Sequence, residues 1–223
     1  MYVTLPTEFS NCETTPTFAE MRHIGQDTRV RAGGSLFFEG DEVEWLYQVK
    51  SGLLRVTRML EDGRRQVIAF GFPGDIVGFP SNGLHNTDCD ALVDSCLQPI
   101  RRSALESGEG APELHQHLLQ AALREISAMQ DHFMMLGRKS AVEKVASFLG
   151  VLAQRVGKKI DGSIQFELPM QRTDVADFLG VTTETVCRTL TQLRKSGVIS
   201  IENIHTIKIL RPDALLALSE GGD

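Results

Sequence analysis

A glutamate and an arginine one helical turn apart are the residues of this sequence best suited to chemistry with DNA. In the run TTETVCRTLTQLRK, which starts at Thr182, Glu184 and Arg188 are separated so that a helix would place both side chains on one face. A carboxylate can accept a hydrogen bond from the amino group of cytosine, and a guanidinium can form a bidentate pair with guanine. Glu–Arg pairs at this spacing are also common on solvated helix surfaces, so both interpretations stay open at this point.

Two short helices joined by a tight turn are predicted to position this pair. Residues 170–179 have their apolar side chains on one helical face, and the glycine that follows suits the positive φ of a helix end. Thr182 is a favourable cap for the second helix, in which Val186, Leu190 and Leu193 share one face. The side chains predicted to contact DNA lie at the cap or beside that face: Thr182, Thr183, Glu184, Cys187, Arg188, Thr191 and Lys195.

A short β-hairpin is predicted directly after the second helix. Its apolar runs are Val198, Ile199 and Ile201, then Thr206, Ile207 and Ile209, with a polar turn at Glu202 and Asn203 between them. A hairpin in this place is the wing of a winged helix-turn-helix. It favours DNA binding over a simple surface ion pair.

These residues also carry a family resemblance. The runs DVADFLG, from Asp174, and TETVCR, from Thr183, look like the winged helix-turn-helix of the CRP/FNR superfamily. Thr183 stands where the cyclic-AMP receptor branch has an arginine, which is similar to the FNR and FixK branches. The resemblance implies a transcription regulator, expected to be an activator, with Glu184 and Arg188 as base readers. It also implies a TTGA-N6-TCAA palindrome as the target and RNA polymerase as a partner.

Cys187 departs from the serine that these branches often carry at this position. It lies on the exposed arc of the predicted helix, within the first turn and a half, where the helix dipole and Arg188 favour a thiolate. Oxidation to a sulfinate would place negative charge against the phosphate backbone. One hypothesis is therefore a redox-sensitive thiol at the DNA interface, and the other is a small side chain merely accommodated near DNA.

The composition is that of a globular protein, with 223 residues, 42% of them hydrophobic, and a net charge of −6. Residues 138–223 carry 12 Lys and Arg against 10 Asp and Glu, whereas the preceding residues carry 11 against 19. The part predicted to read DNA is thus the less acidic one. No run approaches the length of a membrane span and the start has no signal-peptide layout, so we expect a cytoplasmic protein.

Residues 28–110 are predicted to form an antiparallel β jelly roll, after a loosely ordered lead-in at residues 1–27. Short apolar or alternating runs separated by turn residues define strands at Ser35–Phe38, Trp45–Val49, Leu53–Leu60, Gln66–Phe72, Cys89–Val93 and Cys96–Ile100. The expected fold class is therefore α+β. Its N-terminal jelly roll resembles the cyclic-nucleotide-binding domain of the same superfamily.

The cyclic-nucleotide members of that superfamily bind phosphate through a Gly-Glu segment followed by an Arg-Ser or Arg-Thr pair. Gly74–Phe79 matches the first part loosely, but residues 86–91 contain no arginine. Asp88 and Asp90 lie there instead, and without a cation they would repel a cyclic phosphodiester. Cyclic-nucleotide binding is therefore not expected. Gating of the jelly roll by an unidentified small molecule is the alternative to constitutive DNA binding.

A long helix is predicted at residues 111–137, opened by a proline. Its apolar residues alternate between spacings of three and four: Leu119, Ala122, Ile126, Met129, Phe133 and Leu136. This series predicts a parallel coiled coil between two copies of the chain, because a helix-turn-helix dimer reads two half-sites. Packing on the chain's own sheet is the alternative.

The winged helix-turn-helix domain is predicted to span residues 138–223. Gly137–Ser140 is predicted to be a hinge before it. Within that hinge, Arg138 and Lys139 either contact phosphate or form a solvated pair.

Neither an enzyme nor a metal site can be assembled from the remaining residues. The four cysteines, Cys12, Cys89, Cys96 and Cys187, show neither the C-x-x-C spacing of a zinc site nor the N-terminal cluster of FNR-type iron–sulfur sensors. His115 and His117 would point about 200° apart on a helix. We therefore expect no cofactor, no metal and no catalytic site.

Overall fold

The computed structural model describes residues 25–107, 111–160, 162–203 and 205–221. Among these residues it has two compact units, which divide between Ser127 and Ala128. Most of the predicted lead-in, and with it Cys12, lies outside the described residues. No helix in the described ranges is both long enough and apolar enough to cross a membrane.

The first unit is an antiparallel β domain, as the sequence predicted. Its strands are β1 Thr28–Val30, β2 Ser35–Phe37, β3 Trp45–Met59, β4 Arg65–Gly71, β5 Ile76–Val77 and β6 Asp88–Arg101. The sheet order is β1-β6-β3-β4, with β2 on β6 and β5 on β3. A short helix, α1 Ser103–Glu106, follows, and the long helix α2 Pro112–Arg138 begins in this unit.

Two long strands replace four of the predicted short ones. β3 runs without interruption through Ser51 and Gly52, where a strand break was predicted, and β6 joins the last two predicted strands. The register between β3 and β6 shifts on both sides of Ser51, so the glycine sits in a bulge rather than at a turn. Gly52 has a φ of +100°, and a Cβ there would clash with the hydroxyl oxygen and the Cα of Ser95. The prediction failed because this close approach depends on a partner strand distant in sequence.

We expect Gly52→Ala to destabilise the β domain by about 3 kcal/mol or more, since it combines a strained positive φ with a clash against Ser95. Gly63→Ala is the matched control, because Gly63 has a φ of +81° with nothing within 4 Å of its added Cβ. That control should cost only the backbone strain, about 1–2 kcal/mol. Urea unfolding, followed by circular dichroism, gives the free energy of unfolding of both variants. An equal loss of stability in Gly52→Ala and Gly63→Ala would contradict the packing argument.

The β domain has two apolar clusters. One contains Phe37, Val49, Leu54, Val77, Cys89, Ala91 and Leu97. The other contains Leu46, Ile76 and Ile100 together with Ala104, Ala111, Leu114 and Leu118. The first turns of α2 are therefore packed on the sheet through one face.

The second unit contains the predicted helix pair and wing. Its elements are α3 Ala141–Val156, β7 Lys158–Ile160, β8 Ser163–Glu167, α4 Arg172–Leu179, α5 Thr183–Lys195, β9 Ile199–Glu202, β10 Thr206–Ile209 and α6 Pro212–Ser219. The strands form an antiparallel sheet in the order β7-β8-β10-β9. The wing register pairs Thr206 with Glu202 and Ile209 with Ile199. The predicted winged helix-turn-helix is therefore present.

The predicted boundaries need two corrections. α4 begins at Arg172 rather than Met170, because Gln171 is in an extended conformation and its N–H donates to Asp174, which lies in the first turn. The predicted hinge is shorter than proposed, since α2 continues to Arg138 and Ser140 already caps α3 by accepting from the Glu143 N–H.

Lys139 is a structural residue rather than a solvated or phosphate-facing one. Its ammonium donates to the Ser147 hydroxyl at 2.8 Å and to the Ser219 carbonyl at 2.7 Å. It therefore ties the residue that precedes α3 to the end of α6. Burial lowers the pKa of Lys139, an effect opposed by Glu143 and Glu220.

The end of α2 is packed into the helix-turn-helix through His132. This side chain is buried and stacks on Phe178 of α4, with ring centroids 4.3 Å apart. Phe178 in turn contacts Phe148 of α3 at a centroid distance of 5.6 Å. The orientation of α4 is therefore coupled to the last turns of α2.

Acid should destabilise this unit through His132. Burial lowers the pKa of His132 below its ordinary value, and Lys144 acts in the same direction. The unfolded chain then binds more protons than the folded one below about pH 6.5, so stability falls as the pH drops from there. His132→Phe keeps an aromatic partner for Phe178 but cannot be protonated. Between pH 7.5 and 4.5, its free energy of unfolding should fall by about 1–3 kcal/mol less than that of the wild type. Urea unfolding at several pH values measures both proteins. If the free energy of unfolding falls equally with pH in the wild type and in His132→Phe, this explanation is contradicted.

Candidate nucleic-acid interface

The turn between α4 and α5 is built by a glycine and a threonine. Gly180 adopts a φ of +61° at the end of α4, as the sequence predicted. Thr182 is extended and caps α5, its hydroxyl accepting from the Thr185 N–H at 3.2 Å. The two helices are thereby fixed against each other at their connection.

One face of α5 is buried and holds the helix on the domain. Val186, Leu190 and Leu193 are buried as predicted, and Thr189 is buried beside them. On the opposite face, Glu184, Arg188 and Lys195 are exposed. That face is therefore available for contact with another molecule.

The predicted DNA-contacting residues all lie on α5 or at its cap. Thr182, Glu184, Cys187, Arg188 and Lys195 are exposed, whereas Thr183 and Thr191 are half-buried. An open groove along this face is lined by Cys187, Arg188, Thr191, Gln192, Lys195 and Ser196. The structure thus brings most of the predicted set together on one surface.

The Glu184 carboxylate is exposed in the first turn of α5. Its own backbone N–H and the nearby Thr182 hydroxyl lower the pKa of Glu184 below its ordinary value. Further along, the Thr191 hydroxyl donates to the Cys187 carbonyl at 2.9 Å. An ionised glutamate can only accept hydrogen bonds, which suits it to read a base-edge amino group.

Two residues at or near this surface, Gln192 and Arg172, were not identified from the sequence. Gln192 lies one turn after Arg188 and lines the same groove, a signal that helical spacing could have supplied. Arg172, at the start of α4, lies near Cys187 of α5. Burial lowers the pKa of Arg172, and Cys187 opposes that effect. No local sequence pattern indicates that Arg172 is a neighbour of Cys187, since the two residues belong to different helices.

The wing is anchored to the strand that precedes α4. Leu168 donates its N–H to the His205 carbonyl at 2.7 Å, and the His205 ring nitrogen Nδ1 lies 3.2 Å from the Leu168 carbonyl oxygen. Asn203, in the wing turn, has a φ of +64°. The contacts between His205 and Leu168 therefore hold the turn of the hairpin against the end of β8.

Comparison with known proteins supports the same assignment for both units. A model described as the Crp-like helix-turn-helix domain matches residues 143–218, and one described as the cyclic nucleotide-binding domain matches residues 27–107. The chain is 34% identical over 218 residues to the nitrogen fixation regulation protein FixK of Rhizobium meliloti, covering 94% of this chain and 99% of that protein. The chain belongs to the CRP/FNR family of transcription regulators.

Other family members agree at similar identity. The FixK protein of Bradyrhizobium diazoefficiens is 39% identical over 206 residues, covering 90% of this chain and 84% of that one. The solved structure of FixK2 from Bradyrhizobium japonicum has a TM-score of 0.78 and 34% identity, covering 86% of this chain and 96% of that one. As a CRP/FNR family member, the chain is a DNA-binding transcription regulator.

In the β domain, an arginine from another strand pairs with one of the two aspartates of residues 86–91. Residues 86–91 supply no cation, but Arg55 on β3 does: its guanidinium pairs with Asp90 through bonds of 2.8 and 3.1 Å. Asp88 accepts from the Glu39 N–H at 2.8 Å. The segment contains no arginine, as noted from the sequence, and the cation beside Asp90 comes from another strand. The pairing nonetheless engages the Arg55 charge with a carboxylate rather than leaving it for a phosphodiester.

The apolar stripe of α2 lies beside the face that is packed on the sheet. Leu119, Ile126, Met129 and Phe133 are exposed, Phe133 to 74%, and Ala122 is half-buried. Leu123 and Met134, which were not predicted, extend the stripe and are exposed to 65% and 58%. Leu136 is half-buried and lies close to Gly180 of the helix-turn-helix. Self-packing on the sheet accounts for the other face of α2 but not for this stripe.

Proposed function

We propose that this regulator is a homodimeric activator that binds a TTGA-N6-TCAA-type palindrome. The observation that carries the proposal is the α5 surface, where Glu184 and Arg188 are exposed on a helix whose other face is buried. We further propose that it acts in the cytoplasm with RNA polymerase as its partner. Relatives named as activators support the direction of regulation, among them the transcriptional activator protein FnrL of Cereibacter sphaeroides, 34% identical over 210 residues.

In this proposal two residues of α5 read bases. Arg188 forms a bidentate pair with guanine, and Glu184 accepts from a cytosine amino group. Thr182, Thr183, Thr191 and Lys195 contact phosphates or fix the register of the helix, and Cys187 lies between the two readers. Phosphate contacts would contribute affinity at all sequences, whereas the two readers would contribute selectivity.

The exposed stripe of α2 supports the dimer. Burying side chains such as Leu123, Ile126 and Phe133 against a second copy removes apolar surface that would otherwise face water, at about 25 cal/mol per Å². The spacing of three and four fits a parallel pair of helices. A symmetric pair also supplies the second reading helix that a palindrome requires.

Selection of bound duplexes from a randomised pool, under reducing conditions, tests the proposal. The expected result is enrichment of two inverted TTGA-type half-sites separated by a fixed spacing. A pool that stays random, or that converges on a single unrepeated motif, would contradict sequence-specific binding by a symmetric dimer.

Oxidation of Cys187 is proposed to weaken DNA binding. The thiol is exposed in the groove beside Arg188, with Arg172 close by, whereas Cys89 is buried in the β domain. A sulfinate at Cys187 would add negative charge facing the DNA backbone.

We expect peroxide to lower the DNA affinity of the wild type about 10-fold or more, an effect of one added charge at a desolvated contact. Cys187→Ser should bind DNA normally and resist peroxide. Fluorescence anisotropy before and after treatment measures both proteins. If the serine variant loses binding to the same extent as the wild type, another group is the target.

A ligand-gated regulator is the second candidate, and the match of residues 27–107 to the cyclic nucleotide-binding domain favours it. The Arg55–Asp90 pair argues that any effector is not a cyclic phosphodiester. Calorimetric titration of candidate effectors into the dimer distinguishes the two functions. Heat of binding coupled to a change in DNA affinity would favour gating.

A further inference from the structure

The end of α2, from Ala128 to Arg138, belongs to the same compact unit as the helix pair α4–α5. Met129 and Phe133 of this segment are exposed on the apolar stripe, whereas His132 and Met135 are buried. Successive residues of a helix are turned by about 100°, so the buried face lies directly beside the stripe. One short segment therefore carries part of the proposed contact between copies and, next to it, a contact within its own chain.

The buried face of this segment is packed on the helix pair at two places. The His132 ring is stacked on Phe178 of α4, with ring centroids 4.3 Å apart and planes inclined by 28°. Phe178 is itself fully buried, so its ring is held in place. Leu136, one turn after His132, lies close to Gly180, just before the Thr182 cap of α5. The start of the reading helix therefore follows directly from residues that α2 contacts.

An aromatic stack restricts the orientation of two helices. Aromatic rings prefer particular offset and tilted arrangements, whereas burial of aliphatic side chains is not directional. In a symmetric dimer, the orientation of α5 relative to the apolar stripe sets the distance and rotation between the two reading helices. Adding one base pair to the spacer moves a half-site by about 3.4 Å and rotates it by about 34° around the DNA axis. A fixed orientation of α5 therefore favours one spacer length.

We propose that His132 is a positioning residue that determines the half-site spacing, because its stack on Phe178 fixes the reading helix pair relative to the apolar stripe of α2. This inference rests on the proposed function, in which two copies pair through that stripe and read a palindrome. If His132 only filled the core, its loss would lower the stability of the unit and weaken binding equally at every spacing. Positioning instead predicts a changed spacing preference for half-sites of unchanged sequence.

A set of variants separates these two roles. His132→Leu and Phe178→Leu each remove the stack from one side and keep an apolar side chain in the core, so the unit should fold. His132→Phe retains two stacked rings and is the rescue control. Leu215→Ala is the matched control for stability, because Leu215 is buried on α6, which contributes no ring to the stack.

The experiment measures the affinity of the full-length protein for palindromes with identical half-sites, whose spacers are the proposed N6 or one or two base pairs longer or shorter. The wild type should prefer one spacer by about 10-fold or more over its neighbours, since a mismatched spacer requires the duplex to be deformed. His132→Leu and Phe178→Leu should lose most of that preference while remaining dimeric in sedimentation equilibrium. His132→Phe should retain it, and so should Leu215→Ala at a temperature at which it is folded.

Three results would overturn the inference and leave the proposed function intact. The first is an unchanged spacing preference in both leucine variants. The second is a loss in Leu215→Ala as large as in His132→Leu, and the third is an equal loss in His132→Phe. If the wild type itself binds palindromes of every spacing equally well, the inference falls together with the part of the proposed function that pairs two readers at a fixed spacing.

Discussion

Replacing Arg188 with alanine is expected to abolish the preference for the palindrome and to leave weak, salt-sensitive binding. A bidentate guanidinium–guanine contact contributes about 1–3 kcal/mol of discrimination, and a symmetric dimer makes it twice. The preference over scrambled DNA should therefore fall by roughly 30-fold to 10⁴-fold. The thermal stability should stay unchanged, because Arg188 is exposed and the buried face of α5 is untouched. Competition between palindromic and scrambled duplexes measures the effect.

The matched control is Arg194→Ala. Arg194 is exposed on the last turn of the same helix but does not line the groove. It removes the same charge, so it should weaken binding to palindromic and scrambled duplexes alike. Undiminished discrimination in Arg188→Ala, or an equal loss of discrimination in both variants, would contradict base reading by Arg188.

Placing a charge in the stripe of α2 is expected to separate the dimer and with it the specific complex. Ile126 is exposed to 52% in the single chain and lies mid-stripe. Ile126→Glu would bury an unpaired carboxylate from each copy near the symmetry axis, at a cost of several kcal/mol. The dimer should dissociate about 100-fold more readily or worse, and palindrome binding should fall with it. Sedimentation velocity over a range of concentrations measures the change.

Gln120→Glu controls for added charge on the same helix. Gln120 is exposed but lies off the stripe, so the variant should remain dimeric and bind DNA. Phe133→Glu, at the most exposed stripe position, should reproduce Ile126→Glu. A dimer that persists in both stripe variants would place the contact between copies elsewhere.

The helix pair could be read from sequence because its signals are local. Gly180, Thr182 and the buried positions of α5 all act within a few residues of one another, and the structure places each as predicted. The wing followed from the same kind of signal, alternating apolar residues around a polar turn. Most of the candidate interface was therefore accessible before the fold was known.

Features that depend on distant partners were not accessible. Lys139 bonds to a carbonyl 80 residues away, and Asp90 pairs with an arginine 35 residues away on another strand. The bulge at Gly52 likewise exists because β6 passes close to it. The long helix showed its exposed stripe in sequence but not that Leu114 and Leu118 on its other face pack on the sheet. In each case the missing information was which segments meet in space.

Sedimentation equilibrium of the purified chain with a palindromic duplex and with a scrambled duplex of equal length tests the central claim most directly. The account predicts a stable dimer that forms a complex of two chains with one palindrome and discriminates strongly against the scrambled duplex. A chain that remains a monomer, or that binds both duplexes with equal affinity, would contradict it.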